Sequence, residues 1–183
     1  MSTMIQSLLR KLTLALLCLG GIGVSAETPS DPKPGAEQAR LSVWVGSWKY
    51  SGQEYPAAIG RSGKFAGVDT HWMTQNGFFL EGKFKEAEGQ GQGMIWYDAA
   101  SKSYQAQGFS GDGSVSTGTL TITGNTWVEL GNRVDALGQT TKYKITTVFS
   151  ADGKSGTTKA ELSKDGGSTW ILWWDLTMKR SRR

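Results

Sequence analysis

The chain has 183 residues, of which 38 % are hydrophobic and 20 % charged, enough for one folded domain and its core. The formal charge of +4 falls to +2 without Arg10 and Lys11. Four of the remaining positive charges lie in the last five residues, Lys179 to Arg183, so the body between is slightly acidic. That distribution excludes the clustered basic face a nucleic-acid partner requires.

Residues 1–26 have the pattern of a secretory signal peptide: a positive start at Arg10-Lys11, an apolar run from Leu12 to Val24, and Val24-Ser25-Ala26 before the expected cleavage. The run is too short to remain as a membrane span, and no other stretch of the mature chain offers one. Leu16 and Leu17 stand where a lipoprotein would carry small residues before Cys18. Cleavage removes Cys18, the only cysteine, leaving no disulfide and no thiol chemistry. The expected destination is the periplasm or the extracellular space.

Residues 27–40 hold three prolines among small and polar residues and are expected to be a flexible linker, with a short helical turn near Ala36 to Arg40. From Leu41 the pattern changes to short runs of period two broken by glycine, and no stretch sustains a 3.6 period. The expected strands begin with Trp44 to Ser51. An irregular segment, Tyr55 to Phe65, precedes a strand from Val68 to Thr74, and Asn76-Gly77 turns it into Phe78 to Lys85. Strands follow at Gly93 to Tyr97, Tyr104 to Phe109, Val115 to Thr123 and Trp127 to Leu130, then a looser Gly131 to Gln139. Lys142 to Phe149, Thr157 to Ser163 and a final run from Trp170 to Arg180 complete the series. That makes about ten antiparallel strands joined by tight glycine turns, an all-β chain. So many strands must close or split to remove their edges, and consecutive hairpins favour an up-and-down barrel over 41–180, with a basic tail at 181–183.

Gly46-Ser47-Trp48 at the start of the first strand and Lys179-Arg180 at the end of the last resemble the calycin arrangement of lipocalins and fatty-acid-binding proteins. In those barrels a Gly-x-Trp plugs one end and a late Arg or Lys caps the indole, which assigns barrel closure to Gly46, Trp48 and Arg180. More specifically, four motifs resemble a group of secreted bacterial proteins, domain-of-unknown-function family fifteen-seventy-nine, which is lipocalin-like. They are Val45-Gly46-Ser47-Trp48, Asn76-Gly77-Phe78-Phe79-Leu80-Glu81-Gly82, Gly93-Met94-Ile95-Trp96-Tyr97-Asp98 and Asp165-Gly166-Gly167-Ser168-Thr169-Trp170. The resemblance spans Leu41 to Arg180 and implies a calycin-like barrel with an internal ligand, but no reaction. Nitrobindin-type haem barrels share the Gly-x-Trp, yet they need an axial histidine late in the chain. The sole histidine, His71, lies early, so no cofactor is expected.

Ser163-x-Asp165-x-Gly167-x-Thr169-Trp170 matches the Asp-box of sialidase-type propellers, but it occurs once in a chain too short for a propeller and is expected to be a stable hairpin. His71 alone cannot build a zinc site; Asp69 shares its strand face, and the pair is the one candidate for catalysis. No nucleophile elbow or phosphate loop is present. Period two places Tyr143, Ile145, Thr147 and Phe149 on one face, and Trp170, Leu172, Trp174 and Leu176 on another, with Trp173 opposite. The expected ligand contacts are His71, Tyr104, Tyr143 and Trp174, around a small apolar or amphipathic molecule held without catalysis. The alternative is an envelope-interaction or carbohydrate-binding module using Trp173 and Trp96 on the outer face. A third reading makes an enzyme of His71 and Asp69. The sequence leaves the oligomeric state open.

Overall fold

The computed structural model describes residues 32–60, 62–87 and 89–181, and Lys33–Arg183 form one unit. The expected signal peptide, Cys18, the first linker residues and Arg182-Arg183 lie outside the described residues. A short helix α1 (Ala36–Arg40) runs into a 3₁₀ turn (Leu41–Trp44). Ten strands follow: β1 (Gly46–Glu54), β2 (Gly63–Thr74), β3 (Phe79–Glu86), β4 (Gln90–Asp98), β5 (Ser103–Ser110), β6 (Val115–Thr123), β7 (Thr126–Val134), β8 (Thr140–Phe149), β9 (Ser155–Ser163) and β10 (Ile171–Arg180). A second short helix, α2 (Pro56–Ile59), lies between β1 and β2. Each strand pairs antiparallel with the next, and β1 pairs with β10 from Trp48↔Arg180 to Glu54↔Trp174, closing the barrel. Closure removes the open edges that a sheet of this size would otherwise expose. Among the described residues no helix is long and apolar enough to cross a membrane.

Most boundaries differ from the sequence expectation by a few residues, Trp44 lying in the 3₁₀ turn rather than in β1, and three of the differences have a clear physical reason. The segment after Tyr55 contains α2, with Pro56 at its first turn and Gly60 ending it at φ +76°. β2 starts at Gly63 because its glycine-rich beginning is held by pairing with β1, Glu54↔Gly63 through Ser51↔Ala66, a signal absent from local propensity. β7 continues past Leu130 to Val134, since Gly131 is a wall position between Gly118 of β6 and Tyr143 of β8 rather than a break.

The end of the barrel nearest α1 is its floor. Leu41 and Trp48 are fully buried there, with Leu80, Tyr104, Leu120, Trp127, Phe149 and Met178 around them. Trp44 from the 3₁₀ turn fits among them, its ring edge-on to Trp48 (5.9 Å), Phe149 (4.9 Å) and Trp127 (6.2 Å). Its carbonyl accepts a 2.7 Å hydrogen bond from Trp48 Nε1. Arg180 stacks its guanidinium 4.5 Å over the Trp48 ring and donates to the carbonyls of Val43 and Val45. Gly46, at φ +122°, lets the chain turn from plug into wall.

At the opposite end a second cluster forms around Ala58, Tyr143 and Leu162, with Ile145, Ile171 and Trp173 against it. α2 therefore roofs part of the mouth over β8, β9 and β10. Tyr55 holds it there, its N–H donating to the Trp173 carbonyl (2.8 Å) and its hydroxyl to Asp175 (3.0 Å).

Candidate functional site: the barrel lumen

Between floor and roof, the inward face of the strands follows from period two: Trp48 is buried, so Tyr50 and Gly52 share its face, and register carries that face to Gly67 and Asp69. The wall is built by one repeated device, a ring laid flat across the glycine directly opposite on the next strand. Tyr50 faces Gly67, Phe65 faces Gly52, Phe84 faces Gly91 and Tyr143 faces Gly131. A Cβ on Gly67 would stand 2.7 Å from Tyr50 Cζ, and one on Gly131 2.7 Å from Tyr143 Cζ. Each such ring covers the backbone that its facing glycine leaves bare. At Gly93 the nearest atoms to such a Cβ are backbone atoms of Gln107 and Gly108, so no side chain closes over it. Tyr50, Phe65, Phe84, Arg133 and Trp174 face inward yet are only half-buried, unlike the floor.

The lumen is polar as well as aromatic. Tyr50 donates its hydroxyl to Glu86 at 2.8 Å, and Tyr143 donates to Glu129. Burial pushes the Tyr50 phenol well above its ordinary value, with the Glu86 hydrogen bond, the Glu86 charge and the Asp69 charge adding to it. Burial also pushes up Tyr143, with Glu129 reinforcing it. Glu129 itself is raised by burial, partly offset by the Tyr143 hydrogen bond. Asp69 brings a carboxylate oxygen within 2.9 Å of His71 Nε2 without the geometry of a hydrogen bond. The His71 ring lies 5.0 Å from Trp44. Among the described residues, Trp44 Nε1 and Trp173 Nε1 are buried with no hydrogen-bond partner. At the mouth, Arg133 donates to Asp112 (2.7 Å) and sits 5.8 Å from the Trp173 ring. Among the described residues no group of three His, Cys, Asp or Glu side chains is arranged to hold a metal.

His71, Tyr143 and Trp174 all face the interior, His71 just above the floor and the other two nearer the mouth. Tyr104 does not join them. It is buried in the floor, and its hydroxyl donates to the Glu37 carboxylate and carbonyl. Trp173 corrects the expected outward placement. The register shifts between Leu172 and Trp174, so Ile171↔Leu162 and Trp174↔Ala160 both face in, and the extra residue, Trp173, packs onto the Tyr143 cluster. Trp96 does lie on the outer face, 6.3 Å from Phe79, beside an open depression of about 480 Å³ lined also by Gln105, Gln107, Thr117, Thr119 and Asn132. Sequence reasoning missed Tyr50, Glu86, Glu129 and Arg133. Counting two residues on from Trp48 reaches Tyr50, but the other three depend on register.

No family model matches this chain, and no curated protein does. Among solved structures it is similar to Rv2717c from M. tuberculosis at 13 % identity and TM-score 0.56, over 81 % of this chain and 99 % of that one. A de novo designed fluorescence-activating beta barrel matches at 13 % identity and TM-score 0.40, over 77 % of this chain and 96 % of that one. At these identities the likeness to Rv2717c is one of fold.

Proposed function

We propose that this protein is an exported, non-catalytic binding barrel that holds a small amphipathic molecule in its lumen, in the manner implied by its resemblance to the lipocalin-like family fifteen-seventy-nine. One observation carries the reading: rings laid on wall glycines line an interior in which Tyr50, Phe65, Phe84, Arg133 and Trp174 face inward and stay half-buried, while Tyr143 beneath the roof is buried. An interior evolved only to be filled would cross those rings over the axis and bury them, as the floor does. Tyr143 and Trp174 supply the upper contact surface, and His71 with Asp69 the lower polar end. Tyr104 shapes the floor beneath.

Native mass spectrometry of the protein purified from its secreted compartment, with organic extraction of what is released, tests this. A discrete small-molecule adduct is expected, lost in Ser116→Phe, which adds a ring to the inward face of β6 where Ser116 lies opposite Gly108. A clean unliganded mass under several expression conditions, together with no uptake of added amphiphiles, overturns it. The outer-face carbohydrate reading keeps one specific observation, Trp96 among uncharged amides and hydroxyls. It predicts retention on an insoluble polysaccharide that Trp96→Ala abolishes.

A further inference from the structure

Charge is sorted across the barrel wall. Every lysine on the ten strands faces outward by the period-two pattern, whereas Asp69, Glu86 and Glu129 face in. Among the described residues, the one inward lysine or arginine above the floor is Arg133, and it sits at the mouth, already bonded to Asp112. The Tyr50 hydroxyl occupies only one acceptor position on Glu86, and an ionised carboxylate has about four. Among the described residues, acceptor capacity is therefore turned inward that the chain's own donors do not fill.

Resting on the lumen reading above, we infer that the ligand is a cation, an amine carried on an apolar or aromatic body. An ammonium offers three donors to Asp69 and Glu86, which flank the Tyr50 hydroxyl on neighbouring strands. The wall rings of Tyr50, Phe65 and Trp174, gathered with 6.2 and 6.3 Å between successive centroids, present π faces that attract a cation and cover the body behind it. An amphiphile with a carboxylate head would meet the Asp69 and Glu86 carboxylates in the same space. Among the described residues, Trp44 Nε1 in the floor and Trp173 Nε1 at the mouth are also buried and unpartnered. They suit an acceptor such as a hydroxyl or ether on the ligand body.

The test is calorimetric titration of the purified secreted protein with three probes of one skeleton: naphthylmethylamine, naphthylmethanol and naphthoate. The amine should bind about tenfold or more tighter than the naphthoate, the scale of a single charge contact. In the Glu86→Gln, Asp69→Asn double variant the amine should lose its advantage over the alcohol. Ser116→Phe should abolish amine binding. Naphthoate binding as tightly as the amine overturns the inference, as does an amine preference that survives the double variant or Ser116→Phe. In those cases alcohol binding blocked by Ser116→Phe would leave the lumen reading standing. If none of the three binds, both fall. The wild-type comparison needs no variant, so it decides between amine and carboxylate even where the double variant fails to fold.

Discussion

Glu129 shows what a single buried carboxylate does to the whole chain. Its folded-state proton is held more tightly than in the unfolded chain, because burial penalises the charged form more than the Tyr143 hydroxyl relieves it. Between the ordinary glutamate range and the raised folded value, the native state binds more protons than the unfolded state. Stability therefore falls as pH rises through that window. Denaturant titrations across the acid-to-neutral range should show this falling limb, and Glu129→Gln should flatten it. Tyr143→Phe removes the group that relieves the charge, so it should cost about 1–3 kcal/mol and move the limb to higher pH. A limb unchanged by both variants would show that Glu129 does not carry it. Neither partner is recognisable from sequence as half of a pair. They lie fourteen residues apart, and adjacency of β7 and β8 together with register is what joins them. Trp48 and Arg180 are different: their residue types and positions at the two ends of the strand series made the cap legible before any contact was known.

At the scale of elements, the plug and the last hairpin each hang on one side chain. Arg180 holds the 3₁₀ turn by two backbone carbonyls and the Trp48 ring at once. Arg180→Ala removes charge-assisted hydrogen bonds and a cation–π contact, so unfolding by urea should show a loss of about 3 kcal/mol. Arg180→Lys keeps the charge but not the fork, and should recover only part of it. Asp165 plays the equivalent part in the β9–β10 turn. Its carboxylate accepts from the Thr169 N–H (2.9 Å), the Thr169 hydroxyl (2.7 Å) and the Ser163 hydroxyl (2.7 Å), which hold it far below the usual carboxylate range. Being depressed in the fold, it contributes above its unfolded value and the contribution is lost as pH falls. Amide exchange at Thr169 should accelerate in Asp165→Ala, with the floor amides unaffected. This turn was readable from its Ser-x-Asp-x-Gly-x-Thr spacing. The bulge a few residues later was not, because one inserted residue reverses the face of everything before it and no residue type in Leu172-Trp173-Trp174 announces it.

Across the whole molecule, the number of strands and their up-and-down order were legible because nearly every turn carries glycine or Asx residues, and sequence-adjacent hairpins leave one way to close. The lumen was not, since an inward glycine and an outward glycine look alike until the neighbouring strand's ring is placed on one of them. That ring-on-glycine wall makes a distinctive prediction about coupling. Gly67→Ala puts a methyl 2.5 Å from the Tyr50 hydroxyl and 2.6 Å from the Lys85 carbonyl, so the Tyr50 ring must leave the wall or the strands must part. The variant should cost about 1–3 kcal/mol, the usual range for overpacking. If the ring is what yields, Tyr50→Ser should relieve much of that cost, and a double-mutant cycle should return a coupling of about 1 kcal/mol or more. Swinging Tyr50 inward also breaks its hydrogen bond to Glu86 and narrows the space above Asp69, so Gly67→Ala should weaken binding of an amine probe by more than its stability loss implies. Additive costs in the cycle would mean the strand backbone moved instead, and the wall would then be a packing detail with no bearing on what the barrel holds.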